Sequence, residues 1–168
     1  MGTNTAATGG DRRAIQEPSR SQFRGEGRGP GRSRVQGETW GHWLGRYGEE
    51  AAAKYLLGAG YQVLDRNWVC RDPDLRGELD LVARYRRTLV VCEVKTRAGD
   101  RLAHPVQAVT QEKAARLRLL AVRWLRESRG PGLSPHRAGL LRIDVIAIRT
   151  GPRPPYPLRS LDHLVGVA

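Results

Sequence analysis

The chain has 168 residues, 39% of them hydrophobic, which is enough for one core but short of two domains of ordinary size. Its formal charge of +12, from 29 Lys and Arg against 17 Asp and Glu, points to a polyanionic partner, nucleic acid first; an arginine-biased soluble surface is the plainer alternative. No stretch approaches the roughly 20 apolar residues of a membrane span, the first residues lack the apolar segment of a secretory signal, and Cys70 and Cys92 with four scattered histidines form neither a disulfide framework nor a zinc set, so a cytoplasmic protein with no membrane partner is expected.

Residues 1–40 are rich in Gly, Arg, Ser, Thr and Pro, with isolated apolar positions and no regular period. They read as a disordered basic arm that either adds phosphate attraction or is dispensable. The folded domain is expected over 41–168. From Gly45 the Ala- and Leu-rich run GRYGEEAAAKYLLGAG predicts a helix over about 45–58, with acids in its first turn and Gly58 and Gly60 as stop signals. YQVLDRNWV (61–69) is dense in β-formers and predicts a strand, closed by a polar turn containing Pro73. GELDLVARY and TLVVCEVKTR then read as a hairpin turning on Arg86–Arg87.

Beyond a loop after Arg97, PVQAVTQEKAARLRLLAVRWLRESR carries Val106, Val109, Leu117, Leu120, Ala121 and Trp124 at helical spacing, with Pro105 suited to a helix start. A breaker-rich link over 129–139 leads to LLRIDVIAIRT (140–150), a buried strand, and a Pro-rich connection leads to a short last strand in LDHLVGV. The order αβββαβ(β) predicts an α/β fold, a small mixed sheet flanked by helices.

Alternation along a strand puts Glu93 and Lys95 on one face, and a tight Arg86–Arg87 hairpin sets Asp80 opposite Glu93. Directly opposed Cβ atoms lie about 4.5–5.5 Å apart, near enough for two carboxylates to hold one cation. Arg-Arg is a poor two-residue turn, so a longer loop could shift this register. Mg²⁺, or Mn²⁺, is a hard ion that takes carboxylate oxygens, water and phosphate. Lys95 can orient or deprotonate an attacking water and offset charge growing on a phosphate.

The alternative for the trio is a cross-strand salt-bridge ladder on a solvated face. Against it, the strand around Val91 is apolar on both faces and reads as central, where charge needs a partner or ligand. Glu49 shares a helical face with Ala52, Ala53 and Leu56 and is either aimed at the sheet or simply an acid favoured near a helix start. Lys113 interrupts the apolar stripe of the second helix and either faces the sheet or snorkels from the margin. Asp144 in a buried strand suits a structural partner, and Cys92 suits core packing. Arg84, Arg86, Arg87, Arg97 and Arg101 could grip phosphate or be ordinary turn and loop charge.

These residues resemble a known family. Gly45, Gly48, Glu49 and Ala52, then Arg66–Asn67, GELDLVA at 77–83, EVKTR at 93–97, Ala108–Val109 with Lys113, and IDVIAI at 143–148 together resemble the YraN family from about Gly45 to the C-terminus. That family is similar to the restriction-endonuclease-like PD-(D/E)xK superfamily and to archaeal Holliday-junction resolvases. The resemblance implies an αβββαβ core, Asp80 as the motif aspartate, Glu93 and Lys95 as ExK, and Glu49 as the first-helix acid. Leu79 stands where many such motifs carry proline.

The expectation is therefore a Mg²⁺- or Mn²⁺-dependent endonuclease, with Asp80, Glu93, Lys95, Glu49 and Lys113 catalytic and Asp80, Glu93 and Glu49 holding the metal. DNA, including branched DNA, is favoured over RNA as the partner. The alternative is a non-catalytic nucleic-acid-binding or scaffold protein on the same fold. Assembly stays open, a homodimer being the form related resolvases take.

Overall fold

The computed structural model describes residues 39–99, 110–128 and 140–167. The basic arm up to residue 38, Arg101, Pro105, Val106, Val109 and the 129–139 link lie outside the described residues. The elements are α1 (Trp40–Gly58), β1 (Gln62–Cys70), β2 (Gly77–Tyr85), β3 (Thr88–Ala98), α2 (Gln111–Glu127), β4 (Leu140–Thr150) and β5 (Leu158–Leu164). The strands form one mixed sheet in the order β1-β2-β3-β4-β5. All neighbours are antiparallel except β3 and β4, which run parallel and are joined through α2, as a parallel pair requires a long crossover.

Helix α1 begins at Trp40, five residues before the expected Gly45, because Thr39 caps it by accepting the His42 N–H at 3.4 Å. The domain thus takes the last two residues assigned to the arm. Aromatic packing supports this extra turn: Trp40 and Trp43 lie 5.7 and 5.5 Å from the Tyr156 ring in the β4–β5 connection. Helix α2 starts at Gln111 behind Thr110, whose hydroxyl accepts the Lys113 N–H at 3.2 Å. Strand β5 starts at Leu158, three residues before the expected segment, because pairing with Thr150 begins directly after the Pro-rich turn. No helix among the described residues is long and apolar enough to cross a membrane.

The helices cover opposite faces of the sheet. Ala52, Tyr55 and Leu56 of α1 pack on Leu81, Val90, Cys92, Val94 and Ile146. Leu117, Leu120, Ala121 and Trp124 of α2 pack on Val82, Leu89, Val91 and Ile143. Each of those large side chains contributes about 1.5–3 kcal/mol by leaving water. Strand β3 is third of five and contributes to both layers, so Glu93 is only 6% exposed.

One glycine sets how closely α1 approaches. A Cβ at Gly48 would collide with the Thr96 side chain, coming within 2.8 Å of its Cβ. Gly48→Ala must therefore lift the helix from β3 or displace Thr96. The expected result is a loss of about 1–3 kcal/mol in urea unfolding, with Glu49, the next residue, moved from its place. Unchanged stability would mean that the helix approach is not tight.

Candidate functional site

The β2–β3 hairpin turns on Arg86–Arg87 as the sequence suggests, with Arg86 in the left-handed region at φ 55. This conformation costs a non-glycine residue about 1–2 kcal/mol, and the Arg86 guanidinium gains contact with the Tyr85 ring, 5.6 Å from its centroid. The ladder runs from Tyr85↔Thr88 to Leu81↔Cys92 and stops. Asp80 and Glu93 are the next pair in that register, at the point where the strands part.

A second irregularity adjoins it. Asn67 of β1, at φ 53, lies between the pairs Arg66↔Leu81 and Trp68↔Leu79, and so faces Asp80 from the other side. Leu79 and Val82 both sit in the layer beneath α2 although they are three residues apart, so the face alternation of β2 breaks at Asp80. The Asp80 side chain consequently turns sideways toward β3, where Oδ2 accepts the Val94 N–H at 2.7 Å. In the sequence Arg66–Asn67 is part of the family pattern, and its one physical signal is that Asn tolerates the left-handed conformation.

All five sequence-derived candidates line one pocket. Glu49 from α1, Asp80 from β2, Glu93 and Lys95 from β3 and Lys113 from α2 surround a cavity of about 390 Å³, together with Glu78 and Arg116. Lys113 Nζ lies 2.5 Å from Glu93 Oε1, and Lys95 Nζ pairs with the same oxygen. Glu93 Oε2, Asp80 Oδ1 and the Glu49 carboxylate have no partner among the described residues.

Burial first, then the charge of Glu93, pushes the Asp80 carboxyl up to about 6, although the Val94 N–H and Lys95 pull the other way. Burial alone would lower Lys95, but its hydrogen bond to Glu93 and the charges of Glu93 and Asp80 more than reverse this and hold it above the ordinary lysine value. In this arrangement Lys95 is a cation and a hydrogen-bond donor. Free hard oxygens from three acids, with the Asp80 carboxyl driven toward protonation by burial and by its neighbour, form a donor set that fits Mg²⁺ or Mn²⁺.

Of the candidate arginines, the four among the described residues are not brought together. Arg84 donates to Gln62 Oε1 at 2.6 Å, and Arg84, Arg86 and Arg87 surround the hairpin turn. Seven residues of strand, about 23 Å, separate Thr88 from Lys95. Among the described candidates, Arg97, exposed two residues past Lys95, is the one at the pocket end of β3. The pocket's own arginine, Arg116, was missed. It stands three residues after Lys113, one turn along the same helical face, a spacing that could have exposed it.

Asp144 takes the structural option. Fully buried, it accepts two hydrogen bonds from Arg142 at 2.8 Å each, one from the Gly166 N–H at 2.9 Å, and contacts His163 Nε2 at 2.9 Å. Burial would raise its carboxyl, but the hydrogen bonds from His163, Arg142 and Gly166 outweigh that and hold it below the ordinary aspartate value. Ligand atoms of Cys92, Asp144 and His163 lie within 4.8 Å of one another. They do not suit a metal: Arg142 occupies both Asp144 oxygens, and burial pushes the Cys92 thiol well up, away from the thiolate a metal needs.

Residues 48–148 match the model of an uncharacterised protein family, UPF0102. The chain is 46% identical over 123 residues to a UPF0102 protein of Frankia alni, covering 73% of this chain and 92% of that one. It is 48% identical over 125 residues to a UPF0102 protein of Streptomyces coelicolor, covering 74% and 88%. The names of these relatives give no activity, and the matched region contains every candidate residue of the pocket.

Proposed function

The chain belongs to the uncharacterised protein family UPF0102, and we propose that it is a metal-dependent endonuclease that hydrolyses phosphodiester bonds in nucleic acid, DNA before RNA. The observation that carries this reading is the convergence of Glu49, Asp80, Glu93, Lys95 and Lys113, from four different elements, on one cavity. Asp80, Glu93 and Glu49 would hold the ion. A divalent ion supplies Lewis-acid stabilisation of charge on a phosphoryl oxygen.

The remaining work falls to the chain. Lys95, on the Glu93 face of β3, donates hydrogen bonds into the pocket, orienting a water and countering charge at the scissile phosphate. Lys113 does the same from α2, and its pairing with Glu93 keeps that carboxylate in place. Asp80 is fixed by the Val94 N–H, so its free oxygen needs no reorganisation to bind a cation. The positive charge of the whole chain supports a polyanionic substrate.

A second reading has its own observation. Two ammonium groups already share Glu93 Oε1, which is how a closed structural ion network looks, and a scaffold that binds nucleic acid without cutting it would keep such a network.

The two are separated by incubating linear, flap and four-way DNA and structured RNA with the full chain and Mg²⁺ or Mn²⁺, comparing wild type with Lys95→Ala. Metal-dependent cleavage that falls about a hundredfold or more in the variant is expected. Salt-sensitive binding with no metal-dependent cleavage would leave the scaffold reading in its place.

A further inference from the structure

The carboxylate pocket is bounded at one end by Gly77 and Glu78, and the same two residues form a wall of a second, open depression of about 550 Å³. Its floor is apolar. Val69 is 57% exposed there and Pro73 lies beside it. Arg71 and Arg76 line it as exposed cations whose side chains have no partner among the described residues.

The loop that shapes it is held firmly. Asp72 accepts the Asp74 N–H at 3.0 Å and forms an ion pair with the Arg123 guanidinium at 3.2 Å, and Arg116 donates to the Arg76 carbonyl. Asp72 is thereby paired, so the lining keeps Arg71 and Arg76 against the single carboxylate of Glu78, a net positive charge over an exposed apolar surface, beside a pocket suited to a phosphate-bound metal.

We infer that this depression is a subsite for one unpaired nucleotide next to the scissile phosphate, its base against Val69 and Pro73 and its phosphates on Arg71 and Arg76. The inference rests on the nuclease reading and deepens it by naming the substrate form. About 550 Å³ falls within the range of small-ligand sites, about 300–1000 Å³, and so has room for one nucleotide. Glu78 is two strand residues from Asp80, about 7 Å, a span that one nucleotide covers. An apolar floor takes the face of any base once it leaves its stack, whereas a paired base would stay out of reach. With the preference for DNA taken from the nuclease reading, the substrate is DNA with unpaired nucleotides at the cut, as at a flap.

The test uses the full chain, a DNA flap with a fluorescent purine analogue as its first unpaired nucleotide, and a linear duplex of matched length. Wild type should raise the analogue's fluorescence by unstacking it. Val69→Glu and Arg76→Ala should abolish that rise and weaken flap binding about tenfold, with duplex binding changed less than about twofold. Equal losses on flap and duplex, no loss, or no fluorescence rise with wild type would each overturn the subsite. Mn²⁺ binding measured on the same proteins, with Asp80→Asn as control, separates the two levels. Asp80-dependent Mn²⁺ binding alongside any of those failures removes the subsite and leaves the nuclease reading standing; absence of such binding removes both.

Discussion

Asp80→Asn is expected to lower metal-dependent strand cleavage about a thousandfold while making the metal-free protein more stable at pH 8. The two effects have one origin. Burial and the Glu93 charge raise the Asp80 carboxyl to about 6 in the folded chain, from an ordinary value of 3.8. Because the folded state binds the proton more tightly, the native protein is favoured below the unfolded value, and that advantage is lost as pH rises through about 6. At pH 8 the charged carboxylate costs up to about 3 kcal/mol, two pKa units at 1.36 kcal/mol each.

Asparagine keeps an oxygen for the Val94 N–H and removes the charge, so the variant should melt higher than wild type at pH 8 and show little difference near pH 4. Mn²⁺ should raise the melting temperature of wild type and leave the variant unmoved, since a ligand that binds only the native site stabilises by mass action. A variant that melts lower than wild type at pH 8 without metal, or still cleaves, would show that Asp80 is a structural member of a salt-bridge network.

Much of this site can be read in the chain because strands have a simple period. Glu93 and Lys95 share a face by alternation alone, and the apolar residues before them mark β3 as central. Asp80 depends on turn length, and Arg86–Arg87 closes in two residues despite its poor turn chemistry because the paired strands and the Tyr85 contact favour it. What alternation cannot supply is the break at Asp80. The left-handed Asn67 on one side and the end of the ladder on the other turn that carboxylate sideways, and both are products of strand pairing between distant segments.

Element ends are less legible in the sequence, for a related reason. The start of α1 at Trp40 follows from a cap and from aromatic contacts with Tyr156, more than a hundred residues away in the chain. The arginines suggested as phosphate grips flank β3, at the hairpin turn and in the loop beyond Arg97, and a strand of eleven residues keeps its two ends apart. Arg116 belongs to the pocket and was hidden inside the Arg-rich α2, where charge alone does not distinguish a pocket residue from a solvated one.

Asp144→Ala should be the most destabilising single change outside the pocket, costing about 3–5 kcal/mol. The carboxylate neutralises Arg142 and holds the last strand, through His163 of β5 and the Gly166 N–H beyond it. Removal leaves a guanidinium, half withdrawn from water, with only the Tyr61 hydroxyl at 2.9 Å as a hydrogen-bond partner among the described residues. Its held-down carboxyl contributes stability that is present above the unfolded value and lost as pH falls through the lower folded one, so the acid limb of the wild-type stability curve should flatten in the variant. Amide exchange at Gly166 and Val167 should speed up before that of β3, because those N–H groups are bound to Asp144 and to the Ile143 carbonyl beside it. If the loss comes from a stranded charge, Arg142→Met added to Asp144→Ala restores most of it. If the double variant is as unstable as the single, the carboxylate acts chiefly through His163 and the C-terminal backbone, and the ion pair with Arg142 is secondary.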